Sequence, residues 1–192
     1  MKSNNTIKSK LDIQRLYSLQ SGGNRDVKDA KVHFEARFSE YQNKLFNSFS
    51  KDSKILSVGC RWKGEIEFIR NRFNLPYTYG LDLFSGDTDY IKIGDIHGTT
   101  FGDNTFDVVY QKNTFNKLYD LRKALNECIR ILKPGGVLVS NDCYDYTIGV
   151  NPLARTSVTT NKWYFSYLKS NIDTILLDVE QPIKNSWIKN TG

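Results

Sequence analysis

From Lys54 onward the apolar positions switch regularly between two spacings. Ile55–Val58 is a short apolar run of strand character, and Glu65–Phe73 places Ile66, Ile69 and Phe73 at helical intervals. Short runs return at Tyr79–Leu83, Tyr90–Ile93 and Phe106–Tyr110, with turn material at Gly102-Asp103-Asn104. Leu121, Ala124, Leu125, Cys128, Ile129 and Leu132 then fall at i, i+3, i+4, i+7, i+8 and i+11, the stripe of an amphipathic helix. Lys133-Pro134-Gly135-Gly136 is expected to stop that helix, and Val137–Asn141 to form a fifth strand. Strands alternating with helices imply an α/β fold, a doubly wound, mostly parallel sheet with helices on both faces.

The flanks read differently. Ile7, Leu11, Leu16 and Leu19 recur loosely at helical spacing before the break Ser21-Gly22-Gly23-Asn24. A second helix is predicted from about Asp26 to Phe49, with Val27, Ala30, Phe34, Phe38, Tyr41 and Leu45 on one stripe. Residues 1–50 thus form an N-terminal helical extension ahead of a domain spanning 51–192. Two readings fit the extension: a lid hinged at Gly22-Gly23, or a packing helix with a leader. Beyond Asp142, Trp163, Tyr164, Phe165, Tyr167 and Leu168 suggest a further helix. Thr174–Val179 suggests a sixth strand and Ile183–Ile188 a short seventh.

Composition narrows the class. A chain of 192 residues supports one ordinary core. No apolar window approaches the ~20 residues that span a bilayer, and the start MKSNNTIKSK lacks a signal-peptide core. Cys60, Cys128 and Cys143 are scattered, which fits neither a disulfide framework nor a zinc site. No metal is expected, and a cytoplasmic location is. The net charge of +6 admits anionic partners, but the lysines alternate with acids and amides without an arginine-rich cluster. A solvated basic surface is the preferred reading, and a nucleic-acid partner is not expected.

Chemistry concentrates where strands end. A strand, a glycine turn and an acid roughly 20 residues on, here Asp82, make the layout of a nucleotide-binding βαβ unit. The acid can accept hydrogen bonds from two ribose hydroxyls, or simply cap a turn. Gly59, Asp82, Asp95, Gln111 and Asp142 all fall at strand ends, where open parallel sheets bind ligands. Two longer segments, GDIHGTTFGDNTFDVVY and ECIRILKPGG, follow in order. Together these residues resemble the class I S-adenosylmethionine (SAM) dependent methyltransferases with a short Rossmann-like domain, over roughly residues 53–142.

The resemblance implies SAM as cofactor and methyl transfer as the activity. By it, Gly59, Cys60, Arg61 and Gly64 approach the methionine part, and Asp82 takes the ribose with Leu83 on the adenine face. Asp95 with Ile96 reads the adenine edge, and Gln111 contacts the methionine part. The chain departs from the family pattern at Ser57, where an acid is usual, and at Arg61, where a glycine is usual. Its first loop is one residue longer. Arg61 is either an anion contact or an exposed loop residue.

Methyl transfer needs mainly alignment and exclusion of water, assisted by a base where the acceptor is a hydroxyl or amine. His97, Asp142 and Tyr144 are the catalytic candidates. For His97 a structural hydrogen-bonded role is the competing reading. The expected acceptor is a small polar molecule, such as a sugar or glycan precursor. A non-catalytic SAM-binding or scaffold protein is the alternative, and RNA methylation a third.

Overall fold

The computed structural model describes residues 40–60, 63–83, 89–112, 114–115, 118, 120–141 and 170. The elements are α1 (Glu40–Ser48), β1 (Ile55–Val58), α2 (Lys63–Phe73), β2 (Thr78–Asp82), β3 (Ile91–Ile93), β4 (Phe106–Lys112), α3 (Leu121–Ile131) and β5 (Leu132–Asn141). The five strands form one sheet in the order β3-β2-β1-β4-β5, and every pairing is parallel. Parallel neighbours demand crossovers, and α2 and α3 provide two of them. The expected α/β architecture is therefore present. Among the described residues no helix is long and apolar enough to cross a membrane.

β1 is central and buried along its whole length, which is why three of its four residues are apolar, Ser57 being the exception. Its alternate side chains feed two cores. Leu56 and Val58 join Leu81, Val109, Leu125 and Cys128 beneath α3. Ile55 joins Ile69, Phe73, Val108 and Tyr110 beneath α1 and α2. Phe46 of α1 sits between them, its ring 5.2 Å from Phe73 and 5.3 Å from Tyr110. The last two turns of the expected second helix thus pack on the sheet. The remainder of that helix, the first helix, the Gly22-Gly23 hinge and the elements expected after Asp142 lie outside the described residues.

α3 starts on a cap. The Asp120 carboxylate accepts from the Lys123 N–H at 3.0 Å, satisfying one donor of the first turn. Its end differs from expectation. Pairing with β4 begins at Leu132, directly after the helix, so Lys133-Pro134-Gly135-Gly136 lies inside β5 and is not a loop before it. Phe106 pairs with Leu132 and Val108 with Val137, so the extra residues form a bulge, with Gly135 at φ 75°.

Candidate active site

Register brings the predicted residues into a line. Val58 pairs with Leu81 on one side and with Gln111 on the other, and Gln111 pairs with Ser140. One residue further along, Ile93, Asp82, Gly59, Lys112 and Asn141 form the carboxyl edge of the five strands, with neighbouring strands about 4.8 Å apart. Asp82 is half-buried at the end of β2, and Leu83 beside it is also half-buried.

Gly59 turns the chain out of β1 at φ 71°. Its N–H donates to the Leu81 carbonyl at 2.7 Å. A Cβ at this position would collide with Thr114 Oγ1, so the loops after β1 and β4 meet where only glycine fits. The Thr114 hydroxyl itself donates to the Val58 carbonyl at 3.2 Å. Cys60 turns its side chain inward onto Ile66 and Ile91, and burial pushes its thiol pKa up. Gly64 is the second residue of α2. Arg61, Asp142 and Tyr144 lie outside the described residues.

Asp95 and His97 form a closed unit. Asp95 Oδ1 accepts from the His97 backbone N–H at 2.9 Å and lies 2.5 Å from His97 Nδ1. The Asp120 N–H donates to His97 Nε2 at 3.3 Å. Nε2 is therefore the acceptor and Nδ1 carries the proton. Both nitrogens of this buried ring are engaged in hydrogen bonds. The ring ties the turn after β3 to the start of α3. His97→Ala is expected to lower stability by about 1–3 kcal/mol, read by urea unfolding, with His97→Asn recovering part of the loss. Ile96 points into the core beside Leu81 and Val58.

Gln111 is wholly buried. Its Nε2 donates to Ser140 Oγ at 2.5 Å, and its Oε1 accepts from the Thr114 and Phe115 N–H groups at 3.0 and 3.2 Å. The amide thereby shapes the loop after β4 that closes over Gly59.

One residue beside the strand-end row, Glu65, was missed by sequence reasoning. Ser57, standing where an acid is usual, donates from its hydroxyl to Glu65 Oε1 at 2.5 Å. Glu65 lies in the first turn of α2 and is buried. Burial raises its pKa to about 8; Ser57 and Lys112 oppose the rise and Asp82 adds to it. The signal was present in the spacing: Glu65, Ile69 and Phe73 fall at i, i+4 and i+8, so an acid occupies the apolar stripe.

The conspicuous sequence segments act as framework. Glu127 Oε1 accepts from the Thr99 N–H at 2.7 Å, the Thr99 hydroxyl at 2.6 Å and Arg130 Nη2 at 2.6 Å. Arg130 also donates to the Phe101 carbonyl at 2.8 Å. Lys133 Nζ donates to both Asp107 oxygens, at 2.8 and 2.9 Å, while Asp107 Oδ2 accepts from the Lys54 N–H. These clamps hold the loop before β4 and the start of β4 against α3 and β5.

Residues 56–140 match the family model described as "Methyltransferase domain". The match covers under half of the chain and supports a SAM-dependent methyltransferase family for that segment. The chain is 27% identical over 89 residues to malonyl-[acyl-carrier protein] O-methyltransferase 1 of Coxiella burnetii, covering 44% of this chain and 32% of that protein. It is 32% identical over 98 residues to demethylmenaquinone methyltransferase of Paenarthrobacter aurescens, covering 45% and 38%. The similarity thus spans well under half the length of either relative. Among solved structures, the MccD protein superposes with a TM-score of 0.53 at 19% identity, covering 68% of this chain and 69% of that one, a likeness of fold.

Proposed function

We propose that this chain is a SAM-dependent methyltransferase acting on a small polar acceptor, with sugars and glycan precursors as the first candidates. One observation carries the reading: Gly59 and Asp82 sit side by side on the carboxyl edge of a parallel sheet, within a methyltransferase domain. The donor set fits the cofactor. Asp82 at the end of β2 suits the ribose hydroxyls, Asp95 keeps a part-exposed carboxylate beyond β3, and the Gly59 turn lets backbone approach a ligand closely. When bound, SAM supplies an already activated methyl group. The residues of this chain then have to orient the acceptor and exclude water. His97 is committed to Asp95 and Asp120, so any general base comes from elsewhere.

Calorimetry with SAM and its demethylated product S-adenosylhomocysteine tests the first step. Asp82→Ala is expected to weaken binding by about 1–3 kcal/mol through loss of hydrogen bonds to a charged acceptor. Absence of binding to the unaltered chain would overturn the reading. The names of the relatives specify unlike acceptors, so the acceptor is sought directly, by methyl incorporation from labelled SAM into sugars, small metabolites and RNA. Interspersed acids and amides among the lysines support the small-molecule side. Saturable labelling of RNA would overturn that preference, and binding without labelling of any acceptor would favour the non-catalytic alternative.

A further inference from the structure

We propose that Glu65 is the counter-charge for the cationic end of the bound cofactor, and that its carboxyl releases a proton to solvent as that cation arrives. The inference rests on the cofactor reading above. Its geometric basis is the face of the sheet on which Glu65 lies. Ser57 pairs with Gly80 and with Tyr110, so two-residue alternation puts Asp82 and Lys112 on the same face as Ser57, one strand to either side of it. The first turn of α2 covers this face and lays Glu65 against the Ser57 hydroxyl at 2.5 Å.

The charged groups that act on Glu65 are one acid and one base. Asp82 of β2 acts on Glu65 electrostatically in one sense and Lys112 of β4 in the other, and Cys60 of the turn is a neutral thiol. On α2 itself, Glu67 is turned away to accept from Tyr90 Oη at 2.8 Å. Among the described residues no Lys, Arg or His lies within ion-pair distance of Glu65. Burial of the carboxylate is the largest effect and outweighs Lys112 on the same face, so the apo protein keeps the proton, in accord with the raised pKa of about 8. Ser57 serves both states, because a hydroxyl can accept from the carboxylic acid and donate to the carboxylate. A cation placed over the Gly59 turn reverses the balance. The carboxylic acid O–H bond breaks, its proton goes to water, and the ion pair forms.

The ligand holds two cations, the amino-acid ammonium and the sulfonium, and the test separates them. Calorimetry at about pH 7, in buffers of differing ionisation enthalpy, counts protons released per ligand. With SAM the expected count is close to one, falling toward zero well above pH 8. Release with S-adenosylhomocysteine, which keeps only the ammonium, assigns that group; release with SAM alone assigns the sulfonium. Methylthioadenosine has neither cation and is expected to release none. Glu65→Gln is expected to abolish release with every ligand. Equal release from Glu65→Gln, or from methylthioadenosine, would overturn the proposal.

A second measurement needs no ligand. A raised folded-state carboxyl pKa means that the fold holds more protons than the unfolded chain between about pH 4.5 and 8. Stability of the apo protein should therefore fall as pH rises through that window, and Glu65→Gln should remove this part of the fall. If this slope is present but no ligand binds, the cofactor reading has failed and the proposal with it. If ligand binds while the slope is the same in both proteins, Glu65 alone is wrongly assigned.

Discussion

Gly59→Ala is expected to abolish measurable cofactor binding and to cost about 2–5 kcal/mol of folding stability. Two terms add. An L-residue held at φ 71° loses about 1–2 kcal/mol relative to an unstrained backbone. The new methyl would also collide with Thr114 Oγ1 and lie 2.7 Å from its Cγ2, and overpacking of this kind costs about 1–3 kcal/mol. The turn would have to open away from the β4 loop, moving the backbone that faces the ligand. Urea unfolding and calorimetry read the two effects separately. The double variant Gly59→Ala/Thr114→Ala tells the terms apart: removing the threonine relieves the clash but not the dihedral strain, so about 1–2 kcal/mol of loss should persist. Additive single and double variants would mean that the contact with Thr114 contributes nothing.

That glycine was legible because local chain geometry requires it. The same holds for β1, whose burial on both faces leaves a run that is apolar apart from Ser57, and for α3, whose buried Leu121, Ala124, Leu125 and Cys128 keep helical spacing. Legibility stopped where partners come from distant segments. Pro134-Gly135-Gly136 looks like a helix stop followed by a loop, yet β4 recruits it as a bulge in β5, and that pairing has no trace in local sequence. The end-of-strand position of Gln111 was readable, but its side chain braces Ser140 and the Thr114–Phe115 turn, because Gln111 and Ser140 are register partners. Ser57 read as the loss of an acid. Only the packing of α2 on β1 returns a carboxyl to that place, from eight positions along the chain.

The segment ECIRILKPGG offers the sharpest division between recognition and chemistry, and Glu127→Ala should show it. The variant is expected to lose about 2–4 kcal/mol of stability while a folded fraction binds cofactor nearly as before, since Glu127 touches Thr99 and Arg130 and no residue of the strand-end row. Truncation leaves the Thr99 N–H and hydroxyl without their carboxylate and loosens Arg130, which keeps Asp103. The hydrogen bonds from Arg130, with those from Thr99, hold the Glu127 pKa down at about 2. A folded-state pKa below the unfolded value gives stability that is complete above about pH 4.5 and is lost as pH falls toward 2. Acid titration of unfolding free energy should accordingly be steep over that interval in the native chain and shallower in Glu127→Gln, which retains the shape but cannot titrate. An unchanged acid slope, or a Glu127→Ala protein of native stability that no longer binds cofactor, would instead move Glu127 out of the framework and into the site.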